Sequence, residues 1–381
     1  MSDRPMIQIA QPYFGRDELD ALRKPLESGW VTQGPEVAAF ERAFAERHGV
    51  KHAIATSSCT TALHLILVAL GVSDGDEVIV PAFTWVATAN VVVYCGAKPV
   101  FVDVDPGTFN LDPSKLKAKI SRQTKAIIPV HLFGLCADMD AIASSAPGIP
   151  LVEDAACAVG ASYRGLPAGS LGVAAAFSFH PRKTITTGEG GMVTTDDPEL
   201  ANRVDQLRNH GAGVSEEQRS RGPAPYRLPA FDVLGFNYRM TDLQGAIGVV
   251  QLGRLDILLE ERRQRAAFYN RELSSIDWIT TPSDPEKSSH GWQSYVCLVN
   301  EERAPLSRNA LMERLHACGI SSRPGTHAVH MLGYYARRYG LSPDDFPGAK
   351  SCEARSIALP LHHHMSDDDF EFVVSTIREL G

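Results

Sequence analysis

Between residues 52 and 200, short runs of apolar and β-branched residues alternate with segments in which apolar residues recur at helical spacing. Helices are predicted over 60–70, 85–94 and 138–145. The apolar runs predict strands at 52–56, 77–81, 99–103, 126–130, 150–153, 174–179 and 191–194. Runs that are apolar on both faces and alternate with helices are typical of a mostly parallel sheet covered on both sides. The pattern therefore predicts a large α/β domain.

The pattern changes after residue 208. Residues 209–229 are rich in Gly, Ser, Arg and Pro, which predicts a long exposed loop of the kind that is functional or disordered. A helix capped by Thr241 and Asp242 follows, and a second helical tract over 255–273 could bridge two domains. The remainder predicts a smaller α+β domain, with a strand at 294–299 and helices at 308–318 and 367–380. We therefore expect two domains, 1–255 and 256–381.

Composition narrows the class of protein. The 381 residues are 44% hydrophobic and 22% charged, an ordinary globular balance. The net charge of −8 argues against nucleic-acid binding, which usually needs a basic face. The basic stretch 260–265 is better explained as a solvated helix face than as a binding patch.

Cysteine usage and the apolar stretches indicate a soluble cytoplasmic protein. The seven cysteines are scattered singly, with no CxxC pair, which favours reduced thiols. The beginning of the chain lacks an apolar core of signal-peptide length, and no apolar stretch reaches the roughly 18 to 20 residues of a membrane span. The adjacent histidines 362–364 lack partner ligands at metal spacing, so we expect a loop there and no metal.

Two of the candidate functional features follow the first two predicted strands. Residues 56–61 are mostly small hydroxyl residues where a strand ends and a helix begins, and the free backbone N–H groups of a helix start would suit a phosphate. An ordinary helix N-cap explains this feature equally well. Trp85 lies just past a strand end, where ligands of open α/β sheets collect, so it could stack on a flat ring. The alternative is a core aromatic.

Two further features follow later strands. Asp154 ends an apolar strand, where a carboxylate is costly unless a cation such as a pyridinium meets it. The alternative is a cap for the next helix. Lys183 follows the strand at 174–179, with Ser178 ahead of it and a glycine-rich turn behind it. A desolvated lysine loses its proton readily, as an imine-forming nucleophile requires, although most lysines are surface charges. Few cofactors other than pyridoxal 5′-phosphate (PLP) use all four features.

The chain resembles the DegT/DnrJ/StrS family of PLP-dependent aminotransferases, which act on nucleotide-linked keto sugars. The resemblance extends nearly end to end. It is carried by residues 28–35, 40–41, 81–90, 101–105, 130–134, 153–156, 177–191, 237–242 and 359–361. It implies the aspartate-aminotransferase type of fold (fold type I) and a homodimer whose two active sites are shared across the interface.

The resemblance also implies a role for each candidate residue. Lys183 would hold PLP as a covalent aldimine and carry the proton to and from the substrate carbon, while Asp154 would meet the pyridine nitrogen. Trp85 would stack on the ring. Ser178 and the backbone of Cys59 and Thr60 would hold the phosphate, and Asn237 would reach the phosphate of the partner subunit's cofactor.

Three positions depart from the family pattern. Cys59 stands where many members have Gly. Cys157 stands at a cofactor-binding position where most members have a Gln or His that contacts the ring hydroxyl. A thiol is a weak hydrogen-bond partner, so either Cys157 makes this contact poorly or another residue supplies it. Residues 325–330 replace a shorter Pro-Leu-His pattern.

The resemblance predicts amino transfer from L-glutamate to a nucleotide-linked keto sugar, in the biosynthesis of surface polysaccharides or secondary metabolites. A transaminase of a small non-nucleotide ketone is an alternative. A sugar dehydratase on the same scaffold would have His in place of Lys183. A non-catalytic regulator that binds the cofactor or the sugar nucleotide is the third alternative.

Overall fold

The computed structural model describes residues 5–214, 220, 222, 226 and 228–380. The strands of its central sheet are β1 (His52–Thr56), β2 (Glu77–Pro81), β4 (Lys98–Val102), β5 (Thr124–Ile127), β6 (Val152–Asp154), β9 (Ala174–Ser178) and β10 (Gly191–Thr195). They form two sets, in the orders β4-β2-β5 and β6-β9-β10-β1. Parallel bridges between Ile127 and Leu151 and between Val130 and Asp154 join β5 to β6.

Shorter strands lie around this sheet. They are β3 (Phe83–Thr84), β7 (Ser162–Tyr163), β8 (Leu166–Pro167), β11 (Ile279–Thr280), β12 (Ser288–Ser289), β13 (Tyr295–Val299), β14 (His327–Ala328) and β15 (Ser356–Leu359). Strands β11, β13 and β15 form an antiparallel sheet near the C-terminus.

Within the described residues the helices pack around these sheets. They are α1 (Arg16–Ser28), α2 (Pro35–His48), α3 (Cys59–Ala69), α4 (Ala87–Tyr94), α5 (Pro113–Leu116), α6 (Met139–Ser145), α7 (Pro198–Arg208), α8 (Asp242–Gly253), α9 (Leu255–Leu273), α10 (Arg308–Ala317), α11 (Gly333–Tyr339), α12 (Pro347–Arg355) and α13 (Asp367–Arg378).

The predicted mostly parallel sheet is confirmed, with one antiparallel member. β10 runs antiparallel to both β9 and β1, while β6, β9, β2, β4 and β5 pair in parallel. The predicted strand over 126–130 is shifted toward the N-terminus, because Pro129 has no N–H for the strand ladder. The strand ends that carry the candidate residues lie where the apolar pattern of the sequence predicted them.

Apolar side chains form three buried clusters. Two of them cover the faces of the central sheet. The third is built from α9, α10, α13 and the antiparallel sheet, with Ile7 joining it from the other end of the chain. The division of the chain into domains 1–255 and 256–381 stays a prediction.

The interpretation of residues 260–265 as a solvated helix face is wrong at one position. Arg262 is buried, and its Nη1 donates hydrogen bonds to the carbonyl oxygens of Trp292, Gln293 and Leu361. Its guanidinium therefore ties α9 to the C-terminal loops by satisfying three carbonyls in the interior.

The predicted exposed loop over 209–229 lies partly outside the described residues, which omit 215–219, 221, 223–225 and 227. His362 and His364 take separate backbone partners, the carbonyl oxygens of Gln8 and Pro12. Among the residues described, no group of three or more His, Cys, Asp or Glu side chains could hold a metal ion. Nor is any described helix long and apolar enough to cross a bilayer.

Candidate active site

A cavity of about 470 Å³ opens at the ends of β1, β6 and β9. This volume suits a cofactor or small-molecule ligand. Seven of the eight predicted site residues line it. They are Cys59, Thr60, Trp85, Asp154, Cys157, Ser178 and Lys183.

The first turn of α3 forms one end of the cavity. Ser58 caps the helix, its Oγ accepting a hydrogen bond from the Thr61 N–H at 3.1 Å. The N–H groups of Cys59 and Thr60 belong to the first turn, which has no acceptors within the helix. Ser178 lies beside this turn because β10 pairs Gly191 with both Thr56 and Ser178. N–H groups, a hydroxyl and the positive end of the helix dipole together suit a phosphate.

The side chain of Cys59 is directed away from this phosphate position. Its Sγ donates to the carbonyl oxygen of Ala176 at 3.5 Å, and burial raises the pKa of the thiol well above its ordinary value. The thiol is therefore a neutral side chain packed on β9, and it leaves the backbone N–H unobstructed.

Gly191 allows the close approach of β10 to the first turn of α3. A Cβ at this position would lie 2.4 Å from the carbonyl carbon of Ser58 and 2.6 Å from the nitrogen of Cys59. We expect Gly191→Ala to lower the free energy of unfolding by about 1–3 kcal/mol and to weaken PLP binding, because the helix start must shift. Denaturant unfolding and PLP titration measure both effects.

Gly253→Ala is the matched control, since a Cβ there meets nothing within 4 Å. It should leave stability within about 0.5 kcal/mol and PLP affinity unchanged. Equal effects of the two substitutions would contradict the role given to Gly191.

Asp154 lies at the end of β6 and is 5% exposed. Its Oδ2 accepts the Thr88 hydroxyl at 2.8 Å and its Oδ1 accepts the Ala156 N–H at 3.2 Å. Residues 155–161 form turns rather than a helix, so Asp154 is not a helix cap. Burial raises the pKa of this carboxyl, an effect that a cationic partner would oppose. Two hydrogen bonds leave acceptor capacity for such a partner.

Lys183 lies in the loop that connects β9 to β10. Its side chain is half-buried, and its Nζ donates to Cys157 Sγ at 3.1 Å. The loop is anchored on α8, where Gln251 Oε1 accepts the Thr186 N–H and Gln244 Nε2 donates to the carbonyl oxygen of Glu189. Lys183 is therefore an amine held in the cavity beside a weak acceptor and not a freely solvated surface charge.

Trp85 and His327 form the open side of the cavity. Trp85 is 55% exposed, so it is not a core aromatic. Its ring centroid lies 5.7 Å from that of His327. Strand β14 carries His327 and pairs with β3 directly before Trp85, so the departing segment 325–330 builds part of the wall.

Asn237 is the one predicted residue that does not line the cavity of its own chain. It forms a bridge with Asn209 instead. This placement agrees with its predicted contribution to a partner's site, which stays a prediction.

Several residues of the site were not predicted from the sequence. Gln293 and Arg323 line the cavity, and the buried Thr88 donates to Asp154 from behind it. These three residues lack any local signal, because their places depend on contacts between distant segments. Gln293 Nε2 donates to the carbonyl oxygen of Arg182.

The site fits PLP through the chemistry of its donors. A helix start and a hydroxyl suit the phosphate, a buried carboxylate with spare acceptor capacity suits the ring nitrogen, and a cavity lysine suits the aldehyde. The mostly parallel sheet and this set of groups define a fold type I PLP-dependent transferase.

The chain belongs to the DegT/DnrJ/EryC1/StrS aminotransferase family, whose model matches residues 12–378. It is 42% identical to GDP-perosamine synthase of Caulobacter vibrioides over 100% of both chains. The crystal structure of the aminotransferase TlmJ from Streptoalloteichus hindustanus is similar, with a TM-score of 0.89, 34% identity and 98% of each chain covered. A Streptococcus pneumoniae relative solved in its PLP form gives a TM-score of 0.91, 29% identity and 98% coverage of each chain.

These comparisons confirm the predicted fold type and the predicted family. They also confirm that the protein is a PLP-dependent aminotransferase. The residue roles stay predictions that rest on the geometry described above.

Proposed function

We propose that this enzyme transfers the amino group of L-glutamate to the ketone of a nucleotide-linked sugar, in the biosynthesis of a surface polysaccharide or secondary metabolite. The observation that carries the proposal is the meeting of Lys183, Asp154 and the first turn of α3 in one cavity. The sugar substrate is supported by the end-to-end similarity to GDP-perosamine synthase.

The residues of the cavity divide the chemistry among them. When bound, PLP supplies an electron sink for the carbanion formed as the amino donor loses its α-proton. Lys183 Nζ would remove that proton, and in the second half of the reaction it would return a proton to the sugar carbon that accepts nitrogen. Asp154 would keep a proton on the ring nitrogen, and Trp85 would cover one ring face.

The substrate is tested by a screen. The purified enzyme is incubated with L-glutamate and dTDP-, UDP- or GDP-linked 4-keto and 3-keto sugars, and 2-oxoglutarate is measured. We expect release of 2-oxoglutarate with at least one of these sugars. Turnover with none of them, together with turnover of a small ketone, would favour the non-nucleotide alternative.

We also propose that the enzyme is a homodimer with shared sites. Leu228, Phe231 and Leu234 are 86%, 60% and 90% exposed on the segment that leads to Asn237. Large apolar side chains exposed together are typical of a protein–protein interface. This surface would place Asn237 at the phosphate of the partner subunit.

Mixing two inactive variants tests the shared site. Lys183→Ala and Asn237→Ala remove groups that the proposal assigns to opposite subunits of one site. A random mixture of the two therefore yields hybrid dimers with one intact site, and about a quarter of the wild-type activity should return. Activity is measured after the subunits are exchanged by partial unfolding and refolding.

The matched control pairs Lys183→Ala with Asp154→Asn, which the proposal assigns to the same subunit. This mixture should regain no activity. Equal recovery in both mixtures, or recovery in neither, would contradict a site shared through Asn237.

A further inference from the structure

Gln251 is a buried side chain of α8 that contacts two segments remote from it in the chain. Its Oε1 accepts the Thr186 N–H at 3.2 Å, in the loop that carries Lys183. Its Nε2 donates to the carbonyl oxygen of Tyr13 and to Glu18 Oε1, each at 2.8 Å. One amide therefore joins the Lys183 loop to the N-terminal segment.

The orientation of this amide is determined by its partners. An N–H faces its oxygen and two acceptors face its nitrogen, so a rotation by half a turn would oppose every contact. Glu18 is itself buried, and its carboxylate pairs with Arg254 Nη1 at 2.8 Å. Hydrogen bonds to a charged group are stronger than those between neutral groups. The Glu18 carboxylate therefore fixes the amide, and the amide oxygen is held on Thr186.

Thr186 connects this amide to the shape of the loop. Its Oγ1 donates to the carbonyl oxygen of Phe179 at 2.7 Å and accepts the Gly188 N–H at 3.0 Å. These two bonds join the start of the loop to its glycine-rich turn. Lys183 lies between them in the chain, and its N–H donates to the carbonyl oxygen of His180 at 2.8 Å, which closes a turn. A shift of Thr186 would therefore move the backbone that carries Lys183.

We propose that Gln251 is a positioning residue for Lys183, an inference that rests on the proposed function. An amine attacks an aldehyde from a narrow range of positions, and a displacement of about 1 Å can slow a reaction about 100-fold. Gln251 is not among the described residues that line the cavity, so it acts through the loop. A methionine there would fill a similar volume but would leave the Thr186 N–H without its acceptor. The loop would then take other positions, and the amine would meet the aldehyde less often.

The test separates attachment of PLP from occupation of the cavity. Gln251→Met, Gln251→Glu and the wild type, all full-length and freed of cofactor, are mixed rapidly with saturating PLP, and absorbance follows attachment to the amine. Pyridoxamine 5′-phosphate, which has no aldehyde to react, measures the affinity of the same cavity by calorimetry. Gln264→Met is the matched control, because Gln264 is exposed on α9 and its Nε2 donates to Glu260 Oε1 at 3.0 Å.

We expect Gln251→Met to slow attachment of PLP by about 10- to 100-fold. Its affinity for pyridoxamine 5′-phosphate should change by less than about threefold, because the first turn of α3 and Asp154 keep their places. A role in stability alone would leave the attachment rate of the folded protein unchanged. Gln264→Met should match the wild type within about twofold in both measurements.

Gln251→Glu should give an attachment rate that depends on pH. The introduced carboxyl lies beside two acceptors, the Glu18 carboxylate and the Tyr13 carbonyl oxygen. The cation of this cluster is Arg254, which also pairs with Asp17. Burial beside another carboxylate holds a proton on the introduced carboxyl above its ordinary pKa of about 4.3. The protonated form can accept and donate hydrogen bonds as the amide does, whereas the ionised form opposes Glu18. The attachment rate relative to wild type should therefore fall about 10-fold or more as the pH rises.

A wild-type attachment rate in Gln251→Met overturns the inference, and so does an equal loss of PLP attachment and of pyridoxamine 5′-phosphate affinity. A constant ratio of the Gln251→Glu rate to the wild-type rate at every pH overturns it as well. This ratio decides the question if Gln251→Met fails to fold.

Borohydride reduction separates the inference from the proposed function. If PLP is fixed to Lys183 in the wild type and the Gln251 variants attach it at the wild-type rate, the inference alone fails. PLP fixed to another residue of the wild type contradicts both.

Discussion

Replacing Lys183 by alanine is expected to lower amino transfer by about 10⁴-fold or more, because positioned acid–base catalysis alone contributes up to that factor. The variant also loses the amine that the proposal assigns to covalent attachment of PLP. Borohydride reduction followed by peptide mass analysis should find the cofactor on Lys183 of the wild-type enzyme and on no peptide of the variant. Dialysis should remove PLP from the variant alone.

Two controls separate chemistry from folding. Thermal unfolding of the variant should match that of the cofactor-free wild type, since Nζ makes only the contact with Cys157 Sγ among the hydrogen bonds of the described residues. Added methylamine should restore part of the proton transfer by taking the place of the missing amine. Activity within about tenfold of wild type would exclude Lys183 as the proton carrier.

Asp154→Asn is expected to give the second largest loss, about 10²- to 10³-fold in kcat. A neutral amide would leave the protonated ring nitrogen without its buried partner, and breaking such a pair costs about 3–5 kcal/mol. The amide keeps the size of the side chain: its oxygen can still accept the Ala156 N–H, and its Nδ2 can donate to the Thr88 hydroxyl oxygen. The loss therefore reports the charge, and steady-state kinetics with saturating PLP measures it.

In the cofactor-free protein, by contrast, Asp154→Asn should be favourable, because it should raise the free energy of unfolding. Burial raises the pKa of Asp154, so the folded state retains its proton to a higher pH than the unfolded state does. The contribution of this carboxyl to stability is therefore present below its unfolded pKa of about 3.9 and is lost as the pH rises through the folded value. Asp154→Asn has no carboxyl to ionise, so it does not lose this stability. The difference in unfolding free energy between the variant and the wild type should therefore grow as the pH rises from the unfolded to the folded pKa, and then level off.

Bound PLP should reverse the order of stability of the wild type and Asp154→Asn. A cationic ring nitrogen stabilises the ionised carboxylate, so PLP should raise the unfolding temperature of the wild type more than that of Asp154→Asn. Equal stabilisation of the two proteins by PLP would show that Asp154 does not meet a charged ring nitrogen.

Much of the fold could be predicted because its signals are local. Helix α9 begins and ends at the residues that the apolar spacing indicated, and Thr241 caps α8 as its position before an apolar run suggested. The strands of a parallel sheet are buried on both faces, which leaves continuous apolar runs in the sequence. Candidate residues at several strand ends were thus brought into one cavity by the topology of the sheet alone.

The features of the fold and the site that could not be predicted from the sequence depend on contacts between distant segments. The hydroxyl of Thr88 meets Asp154 across 66 positions, and Arg323 lines the cavity from the C-terminal third of the chain. The antiparallel direction of β10 depends on the loop that carries Lys183. In the sequence Arg262 is typical of a surface charge, and only the fold brings its three carbonyl partners to it. A single sequence holds no periodic signal for such contacts.

The direct test of amino transfer to a sugar is to follow the nitrogen itself. The enzyme is incubated with ¹⁵N-labelled L-glutamate and the nucleotide-linked keto sugar that the screen identifies, and the sugar product is analysed by mass spectrometry. The account predicts one ¹⁵N atom in the amino sugar, one equivalent of 2-oxoglutarate, and no product from Lys183→Ala. A sugar product without ¹⁵N, or labelled product from Lys183→Ala at the wild-type rate, would contradict it.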